Sequence, residues 1–150
     1  MQWEGLSIER KSAAKFLGFY INENLTREDH VKYVISKISP VVRKIWRLRS
    51  VLTAQAKKCV YLGLIQSHLL YIGLVWSNAS MEVLEPLRIL HNRAIKILYG
   101  MHPRTPTKDV ILQTGQLDMS RLSLLSATTF GFMVFKGFYG VTLAFRRIEV

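Results

Sequence analysis

Residues able to support catalysis are few in this chain and widely separated along it. The three aspartates, Asp29, Asp109 and Asp118, are far apart in the sequence, whereas metal-dependent phosphoryl chemistry needs carboxylates that converge. No two of the four histidines have the four-residue spacing of a helical zinc site, and Cys59 is the single cysteine. The sequence therefore indicates a binding module, and we assign it no catalytic residue, metal ligand or cofactor.

The adjacent acidic pair Glu28 and Asp29 is better explained by helix capping than by metal binding. Thr26 stands three residues before Asp29, which gives the Thr-x-x-Asp pattern of a capping box ahead of an apolar-periodic run. Both carboxylates also suit the positive end of a helix dipole. A metal site would require a third carboxylate, which the sequence does not bring near.

Positive charge is the strongest feature of the composition. The chain has 21 Lys and Arg against 10 Asp and Glu, a formal charge of +11, and residues 30–81 contain no acidic side chain. Such a field attracts polyanions, and we favour nucleic acid over an anionic membrane surface. The cations of this stretch are Lys32, Lys37, Arg43, Lys44, Arg47, Arg49, Lys57 and Lys58.

The first half of that stretch predicts an amphipathic helix, which Pro40 must kink or restart. Apolar residues recur every three or four positions from residue 31 to residue 52 and fill one arc at 100° per residue. On the opposite arc we expect no acidic residue four positions before or after a cation to offset its charge. We therefore interpret that arc as a binding surface. We call it the basic arc, and its members are Lys32, Lys37, Arg43, Lys44 and Arg47.

The remaining elements predict a mainly α fold, a helical bundle preceded by a short β hairpin. Residues 14–21 read as one strand, with residues 6–9 as a candidate hairpin partner and Gly18 as a bulge or a point of close approach. Thr53 is expected to cap a second helix over residues 54–76, and a third ends at Tyr99 before Gly100. A short helix over residues 107–113 follows, and a last helix starts at Ser120. We place Pro86 in the first turn of the third helix.

A membrane protein is the alternative from another class. Residues 59–76 contain no charge, and residues 122–145 are interrupted only by Lys136, so both imitate membrane spans. Gln66, Ser67 and His68 lie together at the centre of the first candidate, where polar groups would lack water. A helix buried within a bundle is therefore the preferred interpretation.

Several short motifs follow one another along the chain. They are KFLGFYI at residues 15–21, LT at 25–26, HV at 30–31, KI at 37–38, Ile45 with Leu48-Arg49, Leu69 with Tyr71, Gly73 and Val75-Trp76, Leu87 with LHNRA at 90–94, PT at 106–107, and the segment around Leu117. Each motif alone is weak, but the series covers roughly residues 12–136, and its order resembles the end of the palm and the thumb of non-LTR retrotransposon reverse transcriptases of the jockey type.

The resemblance implies a nucleic-acid-binding role. Phe16, Leu17 and Gly18 correspond to the primer grip, within a palm-end hairpin over residues 1–24. Residues 25–136 correspond to the thumb, which would hold an RNA or RNA–DNA duplex on the basic arc. Residues 137–150 match nothing that we can assign.

The resemblance also implies what is missing. The paired polymerase aspartates precede the Phe-Leu-Gly segment in that family, so we expect no polymerase activity from this chain alone, and Mg²⁺ would belong to the missing palm. The missing palm and fingers are expected partners, and a retroelement product would act in the nucleus or cytoplasm. A third hypothesis is a pseudogene product whose palm-facing surface aggregates.

Overall fold

A computed structural model describes residues 2–3, 6–7, 11–71 and 73–137 of the chain. Two short antiparallel ribbons precede the helices, which confirms a mainly α fold behind a hairpin. The strands are β1 (Gln2–Trp3), β2 (Leu6–Ser7), β3 (Ala13–Phe16) and β4 (Phe19–Asn22). The helices are α1 (Glu28–Arg47), α2 (Ala54–Tyr61), α3 (Ser67–Leu70), α4 (Gly73–Trp76), α5 (Met81–Leu98), α6 (Thr107–Thr114) and α7 (Met119–Phe135).

The segment interpreted as one strand is itself a hairpin, so that prediction was wrong. β3 and β4 pair with Phe16 opposite Phe19, which leaves a two-residue turn at Leu17 and Gly18. Both turn residues have positive φ, 46° and 82°, as the tight turns that join twisted strands require. β2 pairs with β1 and not with this hairpin, and Glu9 lies outside the described residues.

The first turn of α1 is stabilised from the hairpin and not by the predicted capping box. The residue before α1 is Arg27, whose φ of 62° is left-handed and whose side chain makes no capping bond. Asn22 at the end of β4 donates through Nδ2 to Thr26 Oγ1 at 2.7 Å and to Asp29 Oδ2 at 3.1 Å. Its Oδ1 accepts from the Thr26 amide at 3.0 Å. The capping role of Thr26 was therefore wrong, and one asparagine joins hairpin to helix.

The core lies mainly between α1 and α5. α1 runs without interruption through Pro40 and buries one face, while α5 buries the face that opposes it. Leu87 and Ile95 of α5 are fully buried, as is Ile65 from the segment after α2. The buried apolar residues of α1 are Val31, Val34, Ile38, Val42 and Ile45.

The predicted second helix over residues 54–76 is divided, so its continuity was wrong. Thr53 does cap α2, because its Oγ1 accepts from the Ala56 amide at 3.2 Å. A π-helical turn over Leu62–Gln66 then leads into α3, and Tyr71 adopts an extended conformation that separates α3 from α4. This local change of period and direction places the Tyr71 side chain against the hairpin turn.

The later helices follow the predicted order. α5 ends at Leu98, and Gly100 follows with a φ of 66°. Pro86 is the sixth residue of α5 and lies beyond its first turn, contrary to the prediction. α6 matches its predicted position, and Asp118 caps α7 by accepting from the Arg121 amide at 2.8 Å.

Within the described residues, none of the helices combines the length and hydropathy needed to cross a membrane. The first candidate span is divided at Tyr71, and α7 ends at Phe135. Residues 138–145 of the second candidate and residues 138–150 of the unassigned tail lie outside the described residues.

Candidate nucleic-acid interface

The basic arc lies on the solvent-facing side of α1. All five of its members are exposed, and the buried residues of α1 occupy the opposite side of the helix. At 100° per residue the five cations span an arc of roughly 140°. From Lys32 to Arg47 the helix rises about 1.5 Å per residue, so the arc is roughly 22 Å long.

One member of the basic arc has an acidic partner. Lys32 Nζ lies 2.6 Å from Glu28 Oε1, one turn earlier, and this interaction raises the pKa of the lysine. The prediction that no acid offsets the arc was therefore wrong at Lys32. In the described part of the chain, the other four cations form no ion pair with a carboxylate, so they retain their charge for a ligand.

The hairpin adds a cation to the arc that the sequence did not reveal. Lys15 Nζ of β3 lies 5.0 Å from the centroid of the Tyr33 ring, and Lys37 Nζ lies 5.3 Å from the same centroid. Lys15 also lies 5.5 Å from the ring of Tyr20, its cross-strand partner. Tyr33 precedes Lys37 by one turn, which the sequence shows, but the contact of Lys15 depends on how the hairpin docks.

The three primer-grip-like residues lie at the tip of the hairpin, next to Lys15. Phe16 and Leu17 are 64% and 75% exposed. The close approach predicted at Gly18 is made by the chain itself, since a Cβ there would lie 3.3 Å from the Tyr71 ring. The Tyr71 hydroxyl donates a hydrogen bond to the Leu17 carbonyl, which ties the turn to the helices.

A buried histidine fixes the hairpin against α1. The His30 ring lies 4.4 Å from the Phe19 ring by centroid, and both of its nitrogens are buried without a hydrogen-bond partner. Burial lowers the pKa of His30 and so favours the neutral form of the ring. This contact and the Asn22 bonds hold Lys15 beside the basic arc.

A second buried histidine joins α2 to α5. The Tyr61 hydroxyl and His91 Nε2 share a hydrogen bond of 2.8 Å. Burial lowers the pKa of His91 to about 4 and raises the pKa of Tyr61 to about 12. Both side chains are at most 2% exposed, so they stabilise the core and cannot reach a substrate.

The described residues contain no group of three His, Cys, Asp or Glu side chains placed to hold a metal ion. α1 thus has one packed face and one cationic face, and the docked hairpin extends the cationic face at its N-terminal half. A cationic face of this kind attracts polyanions.

Comparison with curated proteins relates this module to a particular class of polymerase. The chain is 27% identical over 128 residues to "Probable RNA-directed DNA polymerase from transposon BS" of Drosophila melanogaster. The similarity covers 81% of this chain but 14% of that protein. No family model matches the chain, and no solved structure matches it. The chain is thus distantly similar to a short part of a retrotransposon polymerase.

Proposed function

We propose that this chain is a thumb-like module of a retrotransposon reverse transcriptase that holds an RNA or RNA–DNA duplex by its phosphates. The observation that carries the proposal is the basic arc, a row of exposed cations on one face of a single helix. The similarity to an RNA-directed DNA polymerase supports nucleic acid as the ligand of that face.

The dimensions of the basic arc suit a nucleic-acid backbone. Successive phosphates of one strand advance by about 3.4 Å along B-form DNA and by less along an A-form duplex, so an arc roughly 22 Å long spans at least about six of them. The major groove of an A-form duplex is too deep and narrow for side chains to read its base edges, whereas lysines and arginines on a broad surface can contact its phosphates. Binding is therefore independent of sequence, and the phosphates position the duplex.

The hairpin tip extends the same surface. Lys15 is adjacent in sequence to Phe16, and its contact with Tyr33 sets the tip beside the N-terminal half of the basic arc. In the proposal the exposed Phe16 and Leu17 steady the primer strand while α1 holds the duplex. The palm and fingers of the parent polymerase would carry the Mg²⁺ and the catalytic aspartates, and this chain alone does not polymerise.

Salt dependence tests the proposal. Excluding Lys32, four cations of the arc are available, and neutralising about four phosphates predicts a slope of log K against log salt near −3 to −4. The measurement is fluorescence anisotropy with a labelled RNA–DNA hybrid of 20 base pairs in a series of salt concentrations. Binding that does not change with salt, or that changes strongly with duplex sequence, would contradict the proposal.

A further inference from the structure

A cavity of about 380 Å³ lies between the C-terminal end of α1, the middle of α5 and the start of α6. Small-molecule sites have volumes of roughly 300–1,000 Å³, so this cavity has room for one nucleotide and not for a duplex. Trp46 of α1 forms one wall, and it follows Arg43 by three residues and precedes Arg47 by one. The cavity therefore adjoins the end of the basic arc.

Cations line this cavity, and its lining contains no acid. Arg88 is held by Glu85, with nitrogen–oxygen distances of 2.7 and 2.6 Å, so its charge is largely offset. Arg93 is exposed, and Lys96 Nζ donates to the Pro103 carbonyl at 2.9 Å, which leaves two further N–H donors. Arg93 and Lys96 lie one helical turn apart, close enough to bind one phosphate together.

The rest of the lining suits a nucleobase. Trp46, Ile97 and Met101 provide an apolar surface, and Asn92 and Thr107 add polar groups, although Asn92 Nδ2 already donates to Thr107 Oγ1 at 3.4 Å. The Arg49 guanidinium carbon lies 3.9 Å from the centroid of the Trp46 ring. The guanidinium thus occupies one face of the indole, and because Arg49 does not line the cavity, a base would stack on the other face.

Two other cavities in the described residues differ in the charge of their lining. The one between α4 and α7 has no charged residue in its lining, and the one beside the hairpin has a single cation, Arg27. An aromatic wall together with paired cations distinguishes the α1–α5–α6 cavity from both.

We propose that this cavity binds an unpaired nucleotide at the point where a strand leaves the duplex held on α1. Trp46 takes the base, and Arg93 with Lys96 takes the phosphate. The inference rests on the proposed function, because the duplex on the basic arc delivers the strand to the cavity.

The test compares a blunt RNA–DNA hybrid with the same hybrid carrying a four-nucleotide single-stranded extension. The extension should tighten binding by at least about fivefold, the lower end of what one stacked base contributes. Arg93→Glu should abolish that gain while leaving blunt-hybrid affinity within about twofold of the unsubstituted protein. Arg121→Glu is the matched control, because Arg121 is an exposed cation on α7 outside the cavity lining, and it should retain the gain.

Substitutions of Trp46 test the stacking of the base separately, because another aromatic residue should preserve it. Trp46→Leu should remove the gain and Trp46→Phe should retain most of it, with circular dichroism confirming that each variant folds. A single-stranded tetranucleotide should shift the indole N–H resonance of Trp46 in an NMR titration, and adenosine monophosphate, which carries one base and one phosphate, should shift the same resonance.

The outcomes separate this inference from the proposed function. If the blunt hybrid binds with the expected salt slope but the extension adds nothing, the cavity assignment is overturned and the role of the basic arc stands. If the hybrid fails to bind yet the tetranucleotide shifts Trp46, the proposed duplex-binding function fails, and of this inference only nucleotide binding by the cavity remains.

Discussion

α1 and α7 are helices of similar length, 20 and 17 residues, that divide their surfaces in opposite ways. α1 buries one apolar face and gives its other face to cations. α7 buries only Leu122 and Val134 among its described side chains and exposes large apolar residues, including Leu124, Phe132 and Phe135 at 63%, 58% and 69%. A charged face specifies the chemistry of its ligand, whereas an apolar face fits many partners, so the functional assignment comes from α1.

The largest expected difference between α1 and α7 is in the free energy of unfolding when an apolar side chain is shortened on each helix. Ile38 of α1 is 1% exposed, so Ile38→Ala should reduce the free energy of unfolding by about 2–5 kcal/mol. Leu124→Ala on α7 should change it by no more than about 0.5 kcal/mol, because that side chain already faces solvent. Urea denaturation followed by circular dichroism measures both. Similar losses at the two sites would show that α7 is packed as tightly as α1.

Acidification should destabilise the α1–α5 region through its buried histidines. The pKa of His91 falls from 6.5 in the unfolded chain to about 4 in the folded protein, so the unfolded state binds more protons below pH 6.5. The resulting loss of stability is small above pH 6.5 and grows as the pH falls toward 4. It reaches about 2 kcal/mol at pH 5. His30 acts in the same direction.

Urea denaturation at pH 7.5 and pH 5 measures this effect. His91→Leu should flatten the pH dependence, and His102→Gln serves as the control because His102 is exposed. A stability that is equal at the two pH values in the unsubstituted protein would show that neither ring is held neutral by burial.

A smaller effect is expected where the hairpin is tied to the helices. Tyr71→Phe removes the hydrogen bond to the Leu17 carbonyl and should cost about 1 kcal/mol of local stability. Hydrogen–deuterium exchange should therefore become roughly fivefold faster at residues 12–22, with α1 unchanged, if the hairpin opens locally. Unchanged exchange in the hairpin would mean that Asn22 and His30 suffice to hold it.

The sequence was informative where one periodic pattern controlled the structure. The 3.6-residue period placed the buried and charged faces of α1 correctly as far as Arg47, because each residue's side follows from its position along one helix, but the helix ends there and Leu48, expected on the apolar arc, is 48% exposed. Predictions from the sequence were wrong where a residue's contacts come from another helix or strand. Asn22 replaces the expected Thr26 cap, and a leucine with positive φ at residue 17 begins the hairpin turn. Nothing local to either residue signals this.

The candidate site shows the same division. The basic arc could be predicted because its members share one helix, although the Glu28–Lys32 pair was overlooked despite its four-residue spacing. Lys15 joins the arc only through the docked hairpin, and the Trp46 cavity requires α1, α5 and α6 together. Neither could be derived without the tertiary structure.

Charge reversal on the basic arc tests the central claim most directly. Arg43→Glu with Arg47→Glu should weaken binding of the 20-base-pair RNA–DNA hybrid by at least about tenfold near 0.1 M salt and reduce the salt slope by about two. The matched control, Arg121→Glu with Lys136→Glu, changes the same charge on exposed residues of the α7 region and should lose no more than about threefold. Equal losses in the two double variants, or none in the first, would contradict a duplex held by α1.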